Sequence, residues 1–531
     1  MKLFSTKKML VATLAVSMIA TLVMTGCSTK KNNGTTETPV ETAISTPATF
    51  TYGIEGDPGS NVNVITTSDR MGLMEIKAIY SPLYMYNADG IEWFLATDVT
   101  TEDNLTYTAK LRNDVKWSDG KAFTADDVVF TYKKMLETPS GWANAQLTFG
   151  DKKVEVKKID DYTVEFVFPV ASAVSMELIA NVFIMPKHIY ENEVDIENSE
   201  FNKQPVGTGP YVLSEYRAGE YVKFTANKDY YLGAPKIETV IFKIVTDANT
   251  GKLALQKGEI NALIVQPSDA TELSKNENIT LYPYSEGRVA YMVFNTNSPN
   301  VSNADVRKAL MFSLNREEIN MATYLSKDYV NTVYSFLPSG SAFKTYDKVE
   351  KYELNVEKSK SMLAAAGVSN LKLKLAYIGT NVAQQKMAAI IQQQMKAAGV
   401  ELELVGLEGS AISPEMQNKD SKYDMFLGGY IMGIDPSTFF DLFRSDSAYN
   451  FSHLVDADLD ALFAKGASET DATKRMEIYT QIQQKIQDNG AFYPYADNKR
   501  ILAVTSNVSG VEDASLVPVY TFEDMSKLFF K

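Results

Sequence analysis

The run Leu371-Lys372-Leu373-Lys374-Leu375 alternates apolar and charged residues, and Val400-Glu401-Leu402-Glu403-Leu404-Val405 does so again. Alternation of this kind marks a strand with one face buried. Between the two runs, Val382 to Ala398 carries Met387, Ile390, Ile391 and Met395 at helical spacing, and Gly399 can stop that helix. Strand, helix and strand in this order make a βαβ unit with parallel strands. A second unit lies upstream: Ile237 to Val245 is a β-rich run, Asp247 can cap a helix, Gly258 can end it, and Ile260 to Val265 resumes a strand. Two separate units predict two α/β lobes, each with a mostly parallel sheet.

Other elements are placed around these. Phe50 to Ile54 reads as a first strand ending in the tight loop Glu55-Gly56-Asp57-Pro58-Gly59, with Asp57 a turn former. Thr106 to Leu111 and Tyr162 to Phe168 alternate as strands, and Thr124 with Asp127 forms a capping box for a helix over Ala125 to Leu136. Ser302, with Asp305 three residues on, is expected to cap the helix that opens the second lobe, and a helix from Asp471 to Gln487 closes it.

A chain of 531 residues needs two or more folding units. Its net charge of −14 and the lack of a basic stripe argue against nucleic acid. Lys2, Lys7 and Lys8, the apolar run Met9 to Thr25 and Gly26-Cys27 read as a secretion signal over residues 1–26. Val23-Met24-Thr25-Gly26-Cys27 resembles a bacterial lipobox, which implies lipidation at Cys27. The polar stretch Ser28 to Ala48 then makes 27–48 a disordered tether from the lipid to the body.

Catalytic signals are sparse. Cys27 is the single cysteine, which excludes an internal disulfide and a cysteine-rich metal site. The two histidines, His188 and His453, are far apart and in no metal-binding spacing. No G-x-S-x-G elbow is present, and Gly207-Thr208-Gly209-Pro210 puts proline where a phosphate loop needs amides. The neighbouring acids Asp126-Asp127 and Asp160-Asp161 read as caps or solvated faces. No cofactor and no metal site is expected.

The segment Leu111-Arg112-Asn113-Asp114-Val115-Lys116-Trp117-Ser118-Asp119-Gly120-Lys121-Ala122-Phe123-Thr124-Ala125-Asp126-Asp127-Val128-Val129-Phe130 resembles the signature of the family 5 extracellular solute-binding proteins. These are the peptide- and nickel-type receptors of ATP-binding cassette importers. Met185-Pro186-Lys187-His188, Gly207-Thr208-Gly209-Pro210-Tyr211, Asn227-Lys228-Asp229-Tyr230-Tyr231 and Val306-Arg307-Lys308-Ala309-Leu310 follow in the family's order. The resemblance runs from Thr49 to the C-terminus. It implies the two-lobe periplasmic-binding-protein fold (α/β, type II, Venus-flytrap) with an extra subdomain in the first lobe. The implied division is 49–76, 205–288 and 495–531 for the core of lobe I, 77–204 for its subdomain, and 289–494 for lobe II, with two crossing segments as hinge.

The resemblance also implies where ligand is held: Glu55, Gly56 and Asp57 after the first strand, and Tyr430, Ile431, Met432 and Asp435 before Pro436. In peptide-binding relatives an aspartate of the second segment pairs with the ligand's amino group. Here Met432 stands in that place, so the acid must come from elsewhere or the ligand presents no free N-terminus. The implied protein is a non-enzymatic monomer, lipid-anchored on the extracytoplasmic face of the bacterial membrane. It would bind a peptide or other small solute and serve ABC permease subunits. An oligosaccharide cargo is the rival within the fold, and a lipid-anchored enzyme or adhesin the rival outside it.

Overall fold

The computed structural model describes residues 49–87, 90–431, 433 and 435–531; the expected leader, Cys27, the tether and Met432 lie outside the described residues. Eleven strands form one sheet: β1 (Thr49–Ile54), β2 (Tyr211–Arg217), β3 (Tyr221–Ala226), β4 (Thr239–Ile244), β5 (Ala262–Val265), β6 (Ile279–Phe294), β7 (Val330–Thr332), β8 (Lys372–Ile378), β9 (Glu401–Leu407), β10 (Met425–Ile431) and β11 (Phe492–Thr505). Their order is β2-β3-β4-β1-β5-β11-β6-β10-β8-β9, with β7 on the flank of β11.

Both βαβ units form as the sequence predicts. β1 lies parallel between β4 and β5, and β8 lies parallel to β9 and β10. Leu373 and Leu375 point into the core, while Lys372 and Lys374 face Glu401 and Glu403 across the ladder at 2.8 and 3.5 Å. The alternation therefore encodes a buried face and a charged one, and burial supplies most of the stability, since exposed pairs contribute about 0–1 kcal/mol.

The two half-sheets are not separate, which is where the structure departs from the expectation. β6, 16 residues long, pairs antiparallel with β11 along its length, from Ile279 opposite Thr505 to Val293 opposite Phe492. The ladder slips between Ser285 and Val289. On one side of that bulge β11 also pairs with β5; on the other side β6 pairs with β10. The lobes thus share one sheet through two crossing strands. Sheet pairing over more than 200 residues of chain leaves no local pattern to read.

Beyond the crossing, β6 is buried on both faces. Ala290, Met292 and Phe294 enter one hydrophobic cluster with Leu373, Leu375 and Ile391. Tyr291 and Val293 enter another with Phe426, Phe463 and Ile482. The first lobe has its own large core, and its extra subdomain is a four-stranded antiparallel sheet (Ala96–Thr100, Thr106–Leu111, Thr163–Val167, Glu155–Asp160). The helix Ala125–Glu137 packs on that sheet. The Thr124 amide donates to the Asp127 carboxylate at 2.9 Å, closing the expected cap, and Trp117 and Phe130 are core residues. The helix Ala304–Met311 is capped by Asn303 rather than Ser302; its side chain accepts from the Asp305 amide.

The turn at Gly207 to Tyr211 seats on the end of the helix Arg70–Ile79. The Gly209 amide donates to the Ile79 carbonyl at 2.7 Å, and a Cβ at Gly207 would lie 1.9 Å from that oxygen. Away from the crossing strands the lobes also touch, through the Ala173 amide donating to the Ala467 carbonyl at 3.2 Å. Among the described residues, no helix is long and apolar enough to cross a membrane.

Candidate functional site

In open α/β sheets ligands bind beyond the carboxyl ends of parallel strands. In lobe I that end of β1 carries the loop from Glu55 to Gly59; in lobe II the end of β10 carries Tyr430, Ile431 and the segment up to Asp435. Both border the crossing strands: Tyr430 and Ile431 pair with Val289 and Arg288 of β6, and Glu55 lies beside Arg500 of β11.

The crossing is rich in charge. Glu286, buried in the β6 bulge, faces Arg70 at 2.7 Å and Arg500 of β11 at 3.6 Å, and Arg500 also lies 3.4 Å from the exposed Glu55. Two acids and two bases from the first loop, the first helix and both crossing strands thereby meet. Asp497, fully buried on β11, accepts from the Ser285 hydroxyl at 3.0 Å and from the Ser339 amide at 3.0 Å.

The expected site residues divide into two groups. Glu55 and Gly56 lie at the surface of this charged crossing, and Tyr430 and Ile431 are half-buried beside it, with Tyr430 edge-on to Tyr449. Asp57 and Asp435 are committed elsewhere. Asp57 accepts from the Gly59 amide as the turn reading requires, and also from the Tyr216 hydroxyl and the Gly219 amide at 2.9 and 2.7 Å. Burial pushes its carboxyl upward, but those amide and hydroxyl donors outweigh it and hold it below its ordinary value.

Asp435, expected to face a ligand, is instead closed in a bidentate pair. Arg475 donates to its two oxygens at 2.6 and 2.7 Å, and the Ser437 amide donates to Oδ1 at 2.9 Å. Both side chains are buried, and Arg475 lies 5.0 and 5.3 Å from the rings of Phe343 and Tyr479. The short acid before Pro436 caps the 3₁₀ turn Pro436–Leu442 and anchors it to the helix Ala472–Asn489. Oδ1 takes donors from Arg475 and from Ser437, while Oδ2 takes Arg475 alone, so the pair with Arg475 dominates the surroundings of this carboxylate.

Glu75 was not foreseen. It lies on the helix behind the first loop, 2% exposed, and its Oε1 has no hydrogen-bond partner. Burial first, then the charges of Asp57 and Asp69, push its carboxyl up to about 8. The unfolded chain ionises it near pH 4.5, so the folded state retains a proton that the unfolded state loses. Stability from this group is present below about pH 4.5 and is lost as pH rises toward about 8, by up to about 1.4 kcal/mol per pH unit. We expect Glu75→Gln to flatten the pH dependence of urea midpoints between pH 5 and 8; an unchanged slope would mean that Glu75 is ionised in the folded protein.

His188 pairs with Asp119 at 2.7 Å, and no group of three potential metal ligands occurs among the described residues. Arg70, Glu286, Arg288 and Arg500 also escaped the sequence reading. The available signal was Glu286-Gly287-Arg288, a charged interruption in the long run from Ile279 to Phe294.

The fold is that of a two-lobed protein whose lobes share a pair of crossing strands. Residues 91–451 match the bacterial extracellular solute-binding proteins, family 5, and the chain belongs to that family. The structure resembles the ABC transporter substrate-binding protein CtaP of Listeria monocytogenes (39% identity, TM-score 0.88, 91% of this chain and 99% of that one). It also resembles the AppA protein of Bacillus subtilis in complex with a nonapeptide (26% identity, TM-score 0.72, 91% and 99%). In sequence, the oligopeptide-binding protein AppA of Bacillus subtilis is 27% identical over 96% of this chain and 97% of its own length.

Proposed function

We propose that the protein captures peptides between its lobes and delivers them to the membrane subunits of an ABC importer, anchored outside the membrane through a lipidated Cys27 and the 27–48 tether. The observation that carries this reading is the correspondence, over nearly the whole of both chains, with a protein named for oligopeptide binding, together with the likeness to a structure holding a nonapeptide. Glu55, Gly56, Tyr430 and Ile431 would line the cleft, while Asp57 and Asp435 shape it.

Mechanistically, an extended peptide would lie along the crossing strands and satisfy its backbone through strand edges and water. Closure would move residues 289–494 against the rest of the body, with the β6 and β11 bulge as hinge. Ligand and closed form then stabilise one another, and the permease reads the closed surface. No covalent step is needed.

The test is thermal or urea unfolding of the purified protein against peptides of two to ten residues, oligosaccharides and metal chelates. A ligand at 100 times its dissociation constant adds about 2.7 kcal/mol to the native state. Stabilisation by peptides alone is the expected result. Stabilisation by sugars or chelates and not by peptides would overturn the cargo, and turnover of any ligand would overturn the binding role.

A further inference from the structure

Arg288 differs from the other arginines bordering the cleft. Arg70 and Arg500 face Glu286, and Arg475 faces Asp435. Among the described residues, the Arg288 side chain has neither an ion pair nor a hydrogen bond. It is half-buried in the middle of β6, inside the bulge between Ser285 and Val289, and directly opposite Ile431, where β10 ends.

The strand beneath it is shaped to receive it. A Cβ at Gly429 would lie 2.6 Å from Nη2 and 2.9 Å from both Nε and Cζ of Arg288, so the guanidinium plane rests on a residue that has no side chain. Gly428 makes the same room for the ring of Tyr291. Tyr291 and Tyr324 are buried close by, and the arginine's charge partly counters the upward push of burial on their hydroxyls. An arginine pre-placed this way, with all five donors unspent, suits bidentate recognition of a planar anion.

We propose that Arg288, seated on Gly429, receives a carboxylate of the bound peptide. This rests on the peptide reading and deepens it, for the site then holds its cargo by an anionic group, consistent with Met432 in place of an acid and with Asp435 locked to Arg475. The carboxylate is either the peptide's C-terminus or an acidic side chain.

The experiment is calorimetric titration of the purified full-length protein with a panel of five-residue peptides, each with a free C-terminus and as the C-terminal amide, with and without an internal glutamate. Arg288→Gln, Arg288→Lys and Gly429→Ala are compared with the parent. A charge-assisted pair predicts that the parent prefers carboxylate-bearing peptides by about ten- to a hundredfold. Arg288→Gln abolishes that preference, Arg288→Lys keeps part of it, and Gly429→Ala weakens it by displacing the guanidinium while keeping its charge. Unliganded melting shows that the variants fold. If amides without glutamate bind poorly and internal glutamate restores binding, the side chain is the source; if only the free terminus binds tightly, the terminus is. Equal binding of peptides with and without carboxylates, or a preference surviving in Arg288→Gln, overturns the assignment and leaves the peptide reading standing. Failure of the parent to bind any peptide overturns both.

Discussion

Arg475→Met is expected to lower unfolding stability by about 3–5 kcal/mol, because it leaves the Asp435 carboxylate buried without its counter-ion. Asp435 caps the turn after β10 and keeps only the donors of Ser437 once the guanidinium is gone. Desolvation of Arg475 favours its neutral form, yet the hydrogen bonds and charge of Asp435 outweigh this and hold the guanidinium above its ordinary value. Replacing both partners together, Asp435→Leu with Arg475→Met, is expected to recover much of the loss, since neither charge is then stranded. Urea midpoints of the two single variants and the double variant decide the matter. A single variant within about 1 kcal/mol of the parent would show that the pair carries little. Asp435→Asn with intact stability and abolished peptide binding would return this aspartate to the ligand.

Gly207→Ala is the second large effect, expected at about 3 kcal/mol or more. The added Cβ would stand 1.9 Å from the Ile79 carbonyl oxygen and 2.7 Å from its carbon, and backbone cannot swing aside as a side-chain tip can. Relief requires the turn to lift off the helix Arg70–Ile79, which breaks the bond from the Gly209 amide to Ile79. That helix carries Arg70, which pairs with Glu286 at the crossing strands, so on the proposed function peptide binding should fall along with stability. Gly340→Ala is the control: nothing lies within 4 Å of its added Cβ, and a change within about 0.5 kcal/mol is expected. Equal behaviour of the two variants in a thermal melt would mean that the Gly207 turn is not seated as described.

These two residues show why motifs of this family are legible while their roles are not. Gly207 and Trp117 stand in recognisable segments, and both prove to be scaffold: one allows a turn to touch a helix end, the other fills a core. Arg307, in another such segment, spends its guanidinium on the carbonyls of Val301, Ser302, Asn489 and Gly490. A motif records that a residue type is needed; the neighbour that makes it necessary is distant in the chain.

By itself the sequence determined what depends on near neighbours. The periodicity of Leu371 to Val405 and of Ile237 to Val265 was enough for two parallel βαβ units, because side-chain alternation and helix caps are local consequences of backbone geometry. Thr124, Asp247 and Asp471 each cap the helix that their spacing announces. Tertiary structure alone decided that β6 and β11 join the lobes in one sheet, that Asp435 belongs to Arg475, and that Arg288 is left unpaired at the cleft. Each of these depends on which charges and strand edges meet after the chain has closed over hundreds of residues. A charged side chain reads the same in sequence whether its partner is a buried arginine, water or a ligand, and only the packed protein makes them different.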